Sequence, residues 1–107
     1  MTLSRPPRFG EVWQIKGGVI GPEPYLIVSS DLYLELSEDN MLAVPVRVTG
    51  RPGSRVVTEP IPDVGVAVLD RVTALPRTWL MGDSPIGELD PARRDDVGRR
   101  IRNLIGP

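Results

Sequence analysis

The 107-residue chain contains neither cysteine nor histidine, and lysine occurs once, at Lys16. The lack of cysteine excludes disulfides, thiol nucleophiles and zinc–thiolate centres. The lack of histidine removes the commonest general base and the commonest metal ligand. Any catalysis therefore has to rely on carboxylates, arginine, Lys16, tyrosine or hydroxyl groups.

Long hydrophobic runs are missing as well. The longest strictly apolar stretches are about five residues, whereas a membrane-spanning helix needs roughly 18 or more. Residues 1–10 lack the apolar segment of a secretory signal, so we expect a cytoplasmic protein without a membrane partner. A length of 107 residues with 40% hydrophobic side chains predicts a single domain over residues 1–107.

Charge of one sign is not in excess, because the net charge is −1, but the charges are unevenly spread. Residues 47–58 contain Arg47, Arg51 and Arg55 and no acidic residue. A local basic stripe can bind phosphate although the net charge is near zero. The alternative is an ordinary solvated surface of mixed sign.

Short apolar segments separated by glycine- and proline-rich turns predict a domain built mainly of strands. Period-two alternation over residues 11–16 is typical of a half-buried strand. Further strands are predicted over residues 25–28, 41–48, 55–59, 66–69, 72–75 and 85–89. Pro45 lies inside one of them and indicates an edge strand or a bulge, because proline lacks the N–H of a sheet ladder.

Two helices are predicted from capping residues and apolar spacing. Ser30 and Asp31 can cap a short helix of one or two turns. Near the C-terminus, Asp90 is a good N-cap and Pro91 suits the first helical position. The apolar stripe of this last helix consists of Val97, Ile101, Leu104 and Ile105. Five or six short strands with a C-terminal helix predict a small barrel-like domain that is mainly β.

Five segments, in order and with suitable spacing, resemble the MazF/PemK/Kid toxins of bacterial toxin–antitoxin systems and, more distantly, CcdB. Gly10–Trp13 is similar to the family's opening strand, and Glu23–Asp31 is similar to its Arg-Pro-x-x-Val-Val-x-Asn-Asp segment. The other three are Ala43–Val46, Gly65–Leu75 and Ile86–Leu89. The resemblance covers residues 8–106 and implies a mainly β (α+β) fold, a small SH3-like barrel of five to six short strands with a C-terminal helix.

The same resemblance implies a function and partners. The usual member cleaves single-stranded RNA without a metal or other cofactor, forms a homodimer, and is neutralised by a cognate antitoxin with an acidic tail. We therefore expect an mRNA-cleaving endoribonuclease toxin that forms a cyclic phosphate product. The alternative is a non-catalytic module of the same fold, which binds antitoxin or RNA or inhibits a topoisomerase as CcdB does.

The expected active site departs from the family's pattern at its two main catalytic positions. The family's arginine is matched by Glu23, and its threonine is matched by Arg47. One interpretation is an exchange of charge, in which Arg47 holds the phosphate and Glu23 acts as acid or base. The other is an ordinary exposed ion pair between the two, which contributes ~0–1 kcal/mol.

Four further residues are candidate RNA contacts. Ser30 matches the family's asparagine, and Arg71 matches its base-contacting glutamine. Arg51 and Arg55 flank a glycine- and proline-containing loop, where they either hold phosphates or are simply solvated.

Apolar residues near strand edges also have two interpretations. Trp13 either stacks on an RNA base, as aromatic side chains do, or packs in the core or in a dimer interface. Burial of Trp13, Leu75 and Trp79 in a two-fold interface is expected for a barrel this small.

Overall fold

The structure is a computed structural model in which residues 6–17, 21–48 and 57–105 are described. Within these residues eight strands and two α-helices follow one another. In chain order they are β1 (Glu11–Ile15), β2 (Glu23–Ile27), α1 (Asp31–Leu36), β3 (Asn40–Arg47), β4 (Thr58–Ile61), β5 (Gly65–Val68), β6 (Thr73–Pro76), β7 (Leu80–Met81), β8 (Gly87–Glu88) and α2 (Arg94–Ile105). Short 3₁₀ turns precede β7 and α2.

All strands join one antiparallel sheet in the spatial order β4-β5-β3-β2-β1-β7, with β6 also paired to β3 and β8 to β1. The prediction of a mainly β domain with a C-terminal helix is confirmed. The described part of the chain has eight strands rather than five or six. Of the two shortest, β8 falls inside the predicted range 85–89, whereas β7 lies outside every predicted strand because two residues are too few to show a period in the sequence.

Strand β3 is central, and Pro45 lies where its partner strand changes. On one edge β3 pairs with β2; on the other, residues 40–43 pair with β6 and residues 46–47 with β5. The carbonyl of Leu42 accepts the N–H of Val28, the residue that follows β2, so Leu42 faces the β2 edge. Backbone N–H and C=O groups of successive residues face opposite edges of a strand, and those of Pro45, three residues later, therefore face the other edge. There its missing N–H falls in the gap between β6 and β5. Of the two predicted alternatives, an edge strand or a bulge, the edge strand is wrong: β3 is central and tolerates Pro45 because this gap removes the need for a donor.

The two faces of the sheet carry separate hydrophobic cores, because successive side chains of a strand point to opposite faces. The first core lies under α2 and consists of Val12, Leu26, Val44, Val46, Ile61, Ala67, Leu69, Leu89, Val97 and Ile101. The second lies under α1 and consists of Trp13, Ile15, Ile27, Leu34, Met41, Ala43 and Leu75. Only the first half of the predicted α2 stripe is buried, since Leu104 and Ile105 are exposed.

Trp13 is part of the second core, which contradicts its interpretation as an RNA-stacking residue. Its exposed fraction is 2%, and its indole N–H donates to the Glu11 carboxylate at 3.2 Å. A ring this buried has no face to offer a base. Leu75 is only 8% exposed, so of the three residues expected at a two-fold interface Trp79, 41% exposed, is the accessible one.

A buried carboxylate fastens the C-terminal helix to the sheet. The side chain of Glu59 on β4 is 6% exposed and accepts two hydrogen bonds of 3.0 Å from Arg93 and one of 2.7 Å from Arg100. Arg100 also donates to the carbonyl of Thr58 at 2.8 Å. The hydrogen bonds from Arg93, reinforced by those from Arg100, hold the pKa of Glu59 below its ordinary value although burial opposes this.

We expect Glu59→Gln to destabilise the fold and to flatten its response to acid. Loss of charged hydrogen bonds to a buried group should lower the free energy of unfolding by about 1–3 kcal/mol at neutral pH. Because the folded-state pKa is the lower one, this contribution is present above the ordinary value of 4.5 and is lost as the pH falls through the folded value. Urea unfolding from neutral to acid pH measures both effects.

The control is Glu35→Gln, since Glu35 is exposed on α1 and its side chain forms no hydrogen bond or ion pair within the described residues. Equal stability of the two variants, or an unchanged acid response in Glu59→Gln, would contradict the role of Glu59.

Candidate active site

The candidate site lies where β2 begins and β3 ends. Tyr25 of β2 pairs with Pro45 of β3 as the last pair of this ladder, and Glu23 and Arg47 each lie two residues beyond that pair. Side chains two apart on a strand share a face, and directly opposed side chains are close neighbours. Glu23 and Arg47 therefore project from one face of the sheet, close to the end of this ladder.

A groove of about 420 Å³ opens at this place and is lined by Glu23, Tyr25, Arg47 and Arg71 among others. Arg71 comes from the loop between β5 and β6. Thr73 pairs with Ala43 of β3, so the chain two residues earlier runs beside Pro45. The structure thus brings together three of the residues predicted as functional: Glu23, Arg47 and Arg71.

The charged groups of this groove are not used to hold the fold together. Within the described residues, the side chains of Glu23, Arg47 and Arg71 form no hydrogen bond and no ion pair. The arginines at α2 differ, since Arg93 and Arg100 bind Glu59. Two unengaged guanidinium groups with five N–H donors each suit a phosphodiester. The ordinary ion pair between Glu23 and Arg47 is not formed.

The sequence interpretation missed Tyr25, although its position two residues after Glu23 on a strand places both on one face. Its half-buried ring packs against the second core, and its side chain lines the groove. Burial raises the pKa of the Tyr25 hydroxyl above its ordinary value, and the negative charge of Glu23 raises it further. The phenol therefore stays protonated at neutral pH.

Ser30 lies apart from this groove and has a role in the fold. Its hydroxyl accepts the Tyr33 N–H at 3.1 Å and so caps α1, as the sequence predicts. It borders a different groove, of about 660 Å³, between α1 and α2. The other two candidate RNA contacts, Arg51 and Arg55, lie outside the described residues.

Neither a metal-binding cluster nor a membrane-spanning helix is present in the described residues. No cluster of three or more carboxylates is arranged to hold a metal ion in residues 6–17, 21–48 and 57–105. Over the same ranges, no helix has the length and apolarity needed to cross a bilayer.

Solved structures with the same fold include toxins and their complexes. The chain is similar to an endoribonuclease in complex with its cognate antitoxin from a mycobacterial species, with 24% identity, a TM-score of 0.72, and coverage of 92% of this chain and 94% of that one. It is similar to the MazE–MazF complex of Deinococcus radiodurans, with 21% identity, a TM-score of 0.72, and coverage of 96% and 98%. It is also similar to the Mycobacterium tuberculosis toxin MazF-mt6, with 17% identity, a TM-score of 0.64, and coverage of 89% of this chain and 95% of that one.

The comparisons with family models and with curated proteins gave no match. At these identities the structural likeness establishes the fold. The class that the fold defines is that of small, mainly β domains with a C-terminal helix. More narrowly, this chain has the MazF fold over nearly its whole length.

We expect Ser30→Ala to weaken the fold and to leave any RNA cleavage by the protein unchanged. Loss of an N-cap costs about 1 kcal/mol, whereas the Ser30 hydroxyl lies outside the Glu23–Arg47 groove. Chemical denaturation and an RNA cleavage assay measure the two effects. Ser30→Asp keeps a capping side chain and is the matched control; a large loss of cleavage in folded Ser30→Ala would instead assign Ser30 to the RNA site.

Proposed function

We propose that this protein is a member of the MazF/PemK/Kid family with a divergent active site, the toxin of a type II toxin–antitoxin system. Its activity is metal-independent endonucleolytic cleavage of single-stranded mRNA in the cytoplasm. The observation that carries the proposal is the groove in which Glu23, Arg47 and Arg71 converge on a MazF fold. Solved structures of that fold include an endoribonuclease with its antitoxin and several MazE–MazF complexes.

The residues of the groove fit attack of a ribose 2′-hydroxyl on the adjacent phosphate. This reaction needs a base for the 2′ proton and positive charge near the phosphoryl oxygens. Glu23 supplies the base, and Arg47 supplies the charge across the strand pair. Arg71 contacts the same phosphodiester from the neighbouring loop and holds the RNA in place. The product carries a cyclic phosphate.

A non-catalytic module of the same fold is the second candidate. The observation that favours it is that the positions matching the family's catalytic arginine and threonine hold Glu23 and Arg47. Such a module would bind RNA or an antitoxin at the same groove and would leave the RNA intact.

The proposed partners are a second copy of the chain and an antitoxin with an acidic tail. Trp79 and Met81 are exposed large apolar side chains two residues apart along the chain, and they offer a surface for a two-fold contact. An acidic tail is complementary to the unengaged cations of Arg47 and Arg71, and charge complementarity of this kind mainly speeds association.

Removing the cation on β3 tests the proposed reaction. We expect Arg47→Ala to lower the cleavage rate by ~10²–10³, the usual effect of losing a preorganised charge at the transition state. Glu23→Gln should lower the rate and change its pH dependence, because the base is lost. Cleavage of a long single-stranded RNA in the presence of EDTA, by purified protein, is the measurement.

The control is Arg102→Ala, which removes an exposed arginine of α2 outside the groove and should leave the rate unchanged. All three changes should cost about 0.5 kcal/mol or less in stability, because the side chains lack structural partners. A wild-type protein that cuts no RNA would favour the non-catalytic module, and an active protein indifferent to Arg47→Ala would move the site elsewhere.

Light scattering tests the self-association. At micromolar concentration we expect a mass twice that of the 11.7-kDa chain, since burial of the exposed apolar side chains near β7 favours a closed two-fold pair. A monomeric mass at this concentration is incompatible with the proposed homodimer.

A further inference from the structure

One further side chain of the groove is placed for chemistry. Tyr25 follows Glu23 by two residues on β2 and stands opposite Pro45 of β3. Its half-buried ring packs against the second core, while the side chain lines the same groove as Arg47 and Arg71. Packing therefore limits the movement of the ring, and the carboxylate of Glu23 is near enough to raise the pKa of the Tyr25 hydroxyl.

Cleavage in this groove requires a proton for the departing oxygen. When the 2′-oxygen attacks phosphorus, the 5′-oxygen leaves as an alkoxide and has to be protonated. Arginine keeps its proton at all relevant pH values, and Glu23 is occupied as the base. The chain has no histidine. Among the described residues that line the groove, Tyr25 is the one with a side-chain O–H.

We propose that Tyr25 is the general acid of this site, an inference that rests on the proposed function. As the 2′-oxygen forms its bond to phosphorus, the bond from phosphorus to the 5′-oxygen breaks. Glu23 accepts the 2′ proton, and the Tyr25 hydroxyl gives its proton to the 5′-oxygen. The products are a 2′,3′-cyclic phosphate and a 5′-hydroxyl, and proton exchange with water restores Glu23 and Tyr25.

The environment of Tyr25 fits this role. Burial and the neighbouring Glu23 charge raise its pKa, which keeps the donor form populated at neutral pH. An alkoxide is a stronger base than a phenolate, so the proton transfer runs downhill. Arg47 and Arg71 line the same groove, where their positive charge is available to the phosphoryl oxygens.

Tyr25→Phe removes the hydroxyl and keeps the ring. The substrate is a short oligoribonucleotide that contains a cleavage site first mapped on a long transcript. Tyr25→Phe should cleave it ~10²-fold more slowly than the wild-type protein in a single turnover. Affinity for the same oligonucleotide with a 2′-deoxy group at the cleavage position should stay within about twofold, since the expected defect is in proton transfer. The matched control is Tyr33→Phe, because Tyr33 is the second of the two tyrosines and is exposed on α1.

The decisive readout replaces the departing 5′-oxygen with sulfur. A thiolate leaves without a proton, so wild-type protein and Tyr25→Phe should cleave the sulfur-containing RNA at equal rates. A merely structural role of the hydroxyl would slow both substrates alike. A second variant carries fluorinated tyrosine at position 25, whose phenol is more acidic, and it should move the alkaline limb of the pH–rate profile to lower pH. This variant tests the same role if Tyr25→Phe does not fold.

The possible outcomes separate the two proposals. If the wild-type protein cleaves RNA and Tyr25→Phe is as fast, Tyr25 is not the acid, and the proposed function stands. If Tyr25→Phe loses affinity alone, or is equally slow on both linkages, the general-acid role is likewise overturned. If the wild-type protein cleaves no RNA, both the proposed function and the role of Tyr25 are overturned.

Discussion

The structure depends on how strand β3 shares its hydrogen bonds. Its eight residues form ladders with β2 on one edge and with β6 and β5 on the other. A change of partner along one edge leaves a gap, and Pro45 occupies it because a residue without an N–H costs least there. At this gap the ladder with β6 has ended and Arg71 approaches from the loop. The groove is thus a consequence of the place where β3 changes its partner.

The arginines divide into two sets with different tasks. Arg93, Arg99 and Arg100, in α2 or just before it, neutralise Glu59 and Asp96 and so fasten the helix to the sheet and to itself. The side chains of Arg47 and Arg71, at the end of β3 and before β6, form no hydrogen bond or ion pair within the described residues. A net charge of −1 therefore hides a locally cationic groove. The cations available to a phosphodiester are identified by a position in the groove together with the lack of a structural partner, and net charge does not reveal them.

The groove also shows how a chain without histidine or cysteine can assemble an acid–base site. A carboxylate, two guanidinium groups and a phenol come from β2, β3 and one loop. Each has a distinct electrostatic character, because the phenol is partly buried and the guanidinium groups are exposed. The negative charge of Glu23 raises the pKa of the Tyr25 phenol. A phenol that keeps its proton beside a carboxylate gives the groove one proton donor and one proton acceptor.

Much of the fold follows from local sequence. Ser30 caps α1 and Asp90 caps the turn before α2 as predicted, because capping depends on a side chain and the N–H two or three residues later. Alternation locates β1, and apolar runs locate the β2, β3 and β5 regions to within a few residues. The resemblance supplied Glu23, Arg47 and Arg71 as candidate residues, and the structure brings these three into one groove.

Only the tertiary structure decided the remaining points, because they depend on pairing between distant segments. It placed Trp13 in a core rather than at a surface, since either face of an alternating strand can be the buried one. It made the proline-containing strand central and assigned Ser30 to a cap away from the groove. Alternation along β2 places Tyr25 on the face of Glu23, but only the meeting of β2, β3 and one loop brings it into a groove with Arg47 and Arg71. The sequence by itself determined the strand and helix positions and the residue types available for chemistry, whereas the register between strands decided which of them meet.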